Sequence, residues 1–420
     1  MRVLYFGTYE RDYPRNAQVI SCLRRAGVEV AEEHVGVWEG RRDSWRAGPG
    51  TFARLAAAEL RLLRRPRADF DLLVVGYPGH LDLIAARRAA GVEVLERHVG
   101  VWEGRRDAFR AGAGTAARIA AAELRLLSPP QQPFDVLLVG YPGHFDLLAA
   151  RRVARGRPVV FNPLVSLADT FVADRGRFRP DSLPARALAA VDRHAFRAAD
   201  LVVADTRAHA DHLAELAGLR AADVEVCFVG AEERLFRPGW SPGEPFTCLF
   251  VGKLIPLHGV ETILGAARAA PELPLRLVGS GQLEHLLAER PPNVEWVRWV
   301  DYEQLPGELH RAGCALGIFG TSAKAQRVIP NKAFQALACG TPLVTADTPA
   351  ARELLVHEES ALLVPSGDPE ALAQALRRVA ADPALRSRLS EGGLAAYRRQ
   401  ASEDVLGRRW RGLLERVAAQ

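Results

Sequence analysis

The sequence predicts an α/β protein of two doubly wound domains, and three observations carry that expectation. Short apolar runs alternate with amphipathic helical stretches along the 420 residues, as βα units on parallel sheets do. Several of those runs end in glycine, at Gly7, Gly230, Gly252 and Gly279. The segment from Phe236 to Pro245 holds three prolines and two glycines in ten residues, the composition of an interdomain linker.

The elements follow in order. A first strand (2–6) turns at Gly7-Thr8 into a helix near 16–26. Residues 26–89 and 90–153 then form a tandem duplication. Aligned without a gap at an offset of 64, residues 26–90 and 90–154 agree at 48 of 65 positions, and HVGVWEGRRD and VGYPGH each occur twice. Each copy reads strand (28–35 or 92–99), Arg-rich turn, helix (51–64 or 115–127), strand (70–76 or 134–140), Gly-Pro turn and helix (81–89 or 145–154). One copy suffices for a half-domain, so about 67–130 is the expected excess. The strand Pro158–Phe161, a helix at 182–199 and a strand at 201–204 follow, then a helix at 207–217 and a strand at 224–229.

The expected domains are 1–237, a linker at 238–245, a second domain at 246–400, and a terminal helix at 401–420 packing back across the hinge. The second domain alternates strands at 246–251, 275–278, 294–297, 314–319 and 342–345 with helices at 259–270, 282–289, 302–311, 331–339 and 349–355. The strand-turn Leu362–Asp368 and helices near 369–379 and 383–398 complete it. Ligands of such sheets bind beyond the carboxyl ends of the strands.

Composition narrows the function. At 48% apolar and 25% charged the chain is globular. Five scattered cysteines (22, 227, 248, 314 and 339) form no CxxC pair, which disfavours a zinc knuckle or a disulfide framework and fits a reducing compartment. The start MRVLYFG reads straight into a strand, and no run approaches a membrane span. A cytoplasmic protein is expected, with peripheral contact at the inner membrane face an added possibility. For that contact the aromatic and basic turns Trp38–Arg46 and Trp102–Arg110 are the candidates. A net charge of +5, spread over helices, is a weak argument for nucleic acid. Only three of the 55 basic residues are lysines, Lys253, Lys324 and Lys332, all beside Gly-rich or Pro-bounded motifs. Where arginine is the default, a lysine marks a place that uses a compact, mobile charge.

The motifs converge on an anionic, diphosphate-bearing ligand. Gly252-Lys253 ends a strand, His258-Gly259 opens a helix, and Gly279-Ser280-Gly281 links a strand to a helix. Glycine lets backbone amides approach phosphate, and helix amino termini offer unpaired N–H groups. Pro330-Asn331-Lys332 puts a cation in the first turn of an apolar helix, where the helix dipole gives it nothing and a ligand would. His144, after the strand 134–140, and His80 at the same place in the first copy are alternative cleft histidines, with His144 preferred. Gly7, Arg15 and Asn16 form a candidate acceptor-side loop. His209 and His212, flanking Asp211, are expected on a solvent face. No metal-ligand spacing, GxGxxG or GxxxxGK[ST] occurs.

From Ala199 onward these stretches, in this order, resemble the retaining glycosyltransferases of family 4, with the GT-B fold of two facing Rossmann-like domains. The carriers are Phe250–Leu254, His258–Val260, Leu277–Gly281, Ala336–Val344, Arg352-Glu353 and Leu363–Asp368, with Arg15-Asn16 and the VGYPGH turn in the first half. The resemblance implies transfer of a sugar from a nucleoside-diphosphate sugar to an acceptor hydroxyl, in glycan, glycolipid or surface polysaccharide synthesis. The acceptor would be a glycan, a lipid-linked compound or a small molecule. It implies no cofactor and no metal. It gives catalytic roles to His144, Lys253 and Lys332, and donor contacts to Gly252, His258, Gly279, Ser280, Gly281, Asn331 and Glu353. The two glutamates common in the family fall here on Arg327 and Gln335, so donor recognition departs from the usual pattern. Ile329-Pro330-Asn331-Lys332 resembles a branch in which the lysine neutralises the leaving diphosphate, with Gln335 left to bond ribose. The alternatives are a catalytically inactive scaffold of the same fold, or a sugar-nucleotide enzyme without an acceptor such as an epimerase. Acceptor-dependent release of nucleotide separates the transferase from both.

Overall fold

The computed structural model describes residues 156–419 without a break, and before them 2–7, 21–22, 24–26, 29–34, 72–75, 137–139, 144, 147, 151 and 154. Arg15, Asn16, His80, the aromatic and basic turns, and nearly all of the duplicated copies lie outside the described residues. The chain divides into two compact units. The first is Met1–Leu164 with Val191–Val203 and Gly407–Gln420, and the second is Val165–Ala190 with Ala204–Leu406. Residues 165–190 and 204–237, read from the sequence as part of the first domain, therefore group with the second unit.

In the first unit β1 (Arg2–Gly7) runs parallel between β2 (Glu29–His34) and β3 (Leu72–Val75). A second parallel set joins β4 (Leu137–Val139), β5 (Val159–Phe161) and β6 (Leu201–Ala204). The run Val159-Val160-Phe161 is wholly buried, as a parallel strand covered on both faces requires. Asp200 fastens the start of β6, accepting from the backbone of Val159 at 2.7 Å and from both ends of the Arg151 guanidinium. The last helix, Glu403–Ala418, joins this unit from Gly407 onward, where any side chain would overlap the carbonyl of Cys22.

The second unit holds β7 (Val224–Val226) and a six-stranded, all-parallel sheet. That sheet contains β8 (Cys248–Val251), β9 (Leu275–Val278), β10 (Val294–Val297), β11 (Cys314–Leu316), β12 (Leu343–Ala346) and β13 (Leu362–Val364). Its spatial order is β10-β9-β8-β11-β12-β13, a doubly wound sheet whose direction of winding reverses between β8 and β11. The helices on its faces start at conventional caps. Thr348, Asp368 and Asp382 accept from the backbone three residues on, with proline in the first turn that follows.

Several expected elements are shorter. The strand expected over 314–319 ends at Leu316, because Gly317 passes so close to Thr345 that no side chain fits. The helix expected over 282–289 is a 3-10 turn at Glu284–Glu289, held by i to i+3 bonds such as Leu286 to Leu283. The helix expected over 349–355 stops at Arg352. Residues 238–245 are not a free linker either. Gly239, Ser241 and Gly243 donate to the carbonyls of Cys339, His310 and Arg311, and the Trp240 indole donates to that of Ala312 at 2.8 Å. Among the described residues no helix is long and apolar enough to cross a membrane.

Candidate nucleotide-diphosphate site

The reversal point of the six-stranded sheet gathers the motif residues of the second unit. β8 ends at Gly252 and β9 at Gly279, with φ of 154° and 148°. A Cβ on Gly279 would overlap the carbonyl oxygen of Gly252, so the two turns lie backbone on backbone. Gly281, at φ 157°, repeats the arrangement against Leu254, whose N–H donates to the Ser280 carbonyl at 3.0 Å. The spacing of these glycines is thus a packing condition as well as an opening for a phosphate.

Lys332 completes the group. It lies in the first turn of the helix Asn331–Cys339, whose amino terminus is capped by no side chain. Its Nζ sits 3.7 Å from the ring centroid of Phe250 and would be 2.5 Å from a Cβ on Gly252. Among the described residues this buried ammonium has no hydrogen-bond partner. Burial holds its pKa well below the ordinary lysine value. The aromatic face returns only part of the lost hydration, and a buried cation so placed is costly to the fold.

His258 lies against the same ring, edge-on at 5.7 Å. Its Nδ1 bonds to the Lys253 carbonyl. Since a carbonyl only accepts, Nδ1 carries the proton and Nε2 presents a lone pair when the ring is neutral. Burial first, and then the charge of Lys332, hold this imidazole well below its usual pKa. The side chain of Lys253 is exposed, Ser280 and Asn331 are half-buried, and Gln335 is buried.

The structure disperses other expected site residues. Arg327 pairs with Asp169 at 2.7 Å, and its carbonyl accepts from the Thr206 hydroxyl. Glu353 accepts from the backbone of Arg207 and Ala208 at 2.6 and 2.8 Å, supplementing Thr206, whose hydroxyl caps the helix Arg207–Ala217 by accepting from His209. His144 belongs to the core of the first unit. Its side chain is 0% exposed, its Nε2 lies 3.3 Å from Asp192, and Phe161 and Phe196 meet it edge-on. The expectation of a strand-end histidine open to substrate is corrected to an apolar pocket with a buried carboxylate partner. Gly7 ends β1. His209 is likewise not on a solvent face but buried, 2.5 Å from Asp205. His212 is half-buried, with its pKa lowered by burial and by Arg327.

Sequence reasoning missed a charged group beside the site. A π-helix, Asp169–Asp174, is held to the turn that leads into Lys332. Lys324 donates to Thr170 at 2.8 Å, and Arg327 pairs with Asp169. The scarcity of lysine had marked Lys324, but no pattern in 165–175 marked its partners.

Comparison with known proteins bears on the same residues. Residues 245–382 match the family Glycosyl transferases group 1. That stretch contains Gly252, His258, Gly279–Gly281, Lys332 and Gln335, whereas the π-helix and His144 precede it. The chain is 29% identical over 184 residues to the lipopolysaccharide core biosynthesis glycosyltransferase LpsD of Rhizobium meliloti, covering 43% of this chain and 52% of LpsD. It is 31% identical over 163 residues to the phosphatidyl-myo-inositol mannosyltransferase of Mycobacterium leprae, covering 36% and 42% of the two. It thus spans about half the length of these relatives. In fold it is similar to sucrose-phosphate synthase from Thermosynechococcus elongatus, with TM-score 0.66 and 16% identity over 100% of this chain and 98% of that one. It is also similar to Anabaena HepE, solved with UDP-glucose, with TM-score 0.58 and 15% identity over 99% of each chain. The group 1 match thus covers the six-stranded sheet of the second unit, and the two solved neighbours share the fold of the chain.

Proposed function

We propose that the protein is a retaining glycosyltransferase that moves a sugar from a nucleoside-diphosphate sugar to an acceptor hydroxyl. The observation that carries this reading is the buried, unpartnered ammonium of Lys332 at the carboxyl end of the central strand, beside the glycine turns. The match to group 1 glycosyl transferases over the same residues supports it.

In this reading the diphosphate lies on the amides of Ser280 and Gly281 and the free amino end of the helix Asn331–Cys339. Lys332 exchanges the Phe250 ring for a phosphate oxygen, and Lys253 adds a second, solvent-side charge. Gln335 is the candidate partner of the ribose. Cleavage leaves negative charge on the departing diphosphate, and fixed cations that meet that charge lower the barrier. Retention of configuration asks for attack from the face the nucleotide leaves, so the same cations serve both halves of the step. Protein cations would here do the charge neutralisation that a divalent metal does elsewhere.

The test is calorimetry of UDP, GDP and ADP with the wild type and Lys332→Ala. The expected outcome is binding of one diphosphate and a loss of at least tenfold in the variant. A folded wild-type protein that binds none of the three would overturn the reading. UDP comes first because HepE was solved with UDP-glucose.

A further inference from the structure

The two amides that the donor reading assigns to the diphosphate, those of Ser280 and Gly281, donate to no acceptor among the described residues. Ser280 is half-buried and Gly281 exposed, so a ligand reaches both. Their directions are set by the carbonyls on the far side of the same peptide planes. Both peptides are trans, and in a trans peptide the C=O of one residue and the N–H of the next point opposite ways. The Gly279 carbonyl accepts from the Trp296 indole Nε1 at 2.9 Å, which turns the Ser280 N–H away from Trp296. The Ser280 carbonyl accepts from the Leu254 N–H at 3.0 Å, which turns the Gly281 N–H away from the Leu254 backbone.

The two anchors differ in kind. The one at Leu254 is backbone on backbone and follows from the close approach of Gly281 to that residue. The one at Gly279 depends on a single side chain from another strand. Gly279 has a φ of 148°, a region that glycine enters freely, so the plane that follows it has little to hold it locally. Its own N–H donates to the Val297 carbonyl at 2.8 Å, which fixes where the turn begins but not how the next peptide is rotated. Trp296 itself is well held. It lies in the edge strand β10, in register with Leu277 of β9, and packs against the core of the sheet. The guanidinium carbons of Arg298 and Arg290 sit 5.5 and 6.0 Å from its ring centroid. Arg298 is paired in turn with Glu284 at 2.7 Å, and Arg290 donates to the Leu287 carbonyl at 3.1 Å. An indole packed on the core and gripped by two tethered cations is a rigid donor.

We infer that Trp296 is a positioning residue of the diphosphate site, its indole holding the Gly279 carbonyl so that the Ser280 N–H is aimed at a phosphate oxygen before the ligand arrives. The inference rests on the donor reading above. Two physical effects follow from the bond. A donor fixed in advance spares the ligand the ordering of a glycine-flanked peptide. A peptide whose carbonyl accepts a hydrogen bond is also polarised, and its N–H becomes the stronger donor. A dipole held in this way meets the charge on a departing diphosphate without reorganising.

The test is calorimetry on the full chain with UDP, GDP and ADP, with displacement titration of the matching nucleoside (uridine, guanosine or adenosine), for the wild type and Trp296→Phe. Phenylalanine keeps an aromatic ring in the edge strand and lacks the N–H. For the nucleotide the wild type binds, the variant is expected to lose about fivefold to tenfold in affinity for the diphosphate, the order of one hydrogen bond. Its affinity for the nucleoside is expected to stay within about twofold, because no phosphate is there to use the aimed amide. A tryptophan that only supports the fold would lower both affinities equally or neither. Either result overturns the inference and leaves the donor reading, which stands on Lys332, in place. If Trp296→Phe does not fold, Trp296→Met, which fills the space with a flexible apolar chain, replaces it with the same expected outcome and the same grounds for rejection. A folded wild type that binds no diphosphate removes both readings together.

Discussion

Two histidines occupy comparable places in the two units, and their surroundings differ in one respect that matters. His144 follows β4 and His258 follows β8, both parallel strands. Both are buried, and both lie edge-on to a phenylalanine. His144 faces a carboxylate, Asp192, so its neighbourhood is balanced within the protein. His258 faces a backbone carbonyl and shares the Phe250 ring and the Gly252 turn with the Lys332 ammonium. Position in a βα unit does not distinguish a core histidine from a site histidine. The charge that surrounds it does.

The sharpest way to break this comparison is to remove the charge that has no partner. Lys332→Met is expected to reduce nucleoside-diphosphate affinity by at least 100-fold. It should also stabilise the unliganded protein by about 2 kcal/mol near pH 7, because an uncompensated buried charge gives way to an apolar side chain of similar length. Calorimetry and thermal denaturation check the two halves, and a destabilised variant would put Lys332 on the structural side. The pH dependence has a definite sign. Since the folded-state pKa of Lys332 is depressed, the unfolded chain binds the proton more tightly between that value and about 10.4, the ordinary lysine value. Its contribution to stability rises with pH across this window and is lost as pH falls through the folded value. The advantage of Lys332→Met should therefore shrink as pH is raised toward 10.4.

Gly279→Ala comes next, since its new Cβ would overlap the Gly252 carbonyl at a φ of 148°. A loss of about 3 kcal/mol is expected, together with diphosphate binding, and denaturant unfolding measures it. On the balanced side of the comparison, His144→Leu deletes one member of a buried pair. The expected effect is a loss of about 2 to 3 kcal/mol, with diphosphate affinity within twofold of wild type. A large loss of affinity without a loss of stability would return His144 to the site. The smallest effect belongs to Glu353→Ala, which removes the acceptor of two first-turn N–H groups of the helix Arg207–Ala217 while the Thr206 cap remains, for about 1 kcal/mol. Its melting temperature should fall by a few degrees with no change in diphosphate binding.

The second unit was far more legible than the group beside it. Its strands follow from short apolar runs, several of them closed by glycine, because a parallel strand covered on both faces is built mainly of apolar residues. Lys332 could be singled out as a cation that its helix dipole disfavours, and the structure places it unpaired beside Gly252. Arg327, Glu353 and His144 were chosen by position along the chain, and each has a partner that position does not reveal. For Arg327 it is Asp169, 158 residues away, and for Glu353 the backbone of Arg207, 146 away. His209 was misjudged for a related reason, since Asp205, which buries it, lies one helical turn upstream at the strand end.

By itself the amino-acid sequence determined where the chain forms strands and helices in the second unit, which glycines end them, and which lysine stands at a helix amino terminus. Those properties depend on neighbours within a few residues, where periodicity and backbone sterics act. Only the tertiary structure decided which charges are balanced. Burial and pairing depend on groups brought together from distant segments, and no local pattern encodes that Lys332 meets a phenylalanine ring while Arg327 meets an aspartate.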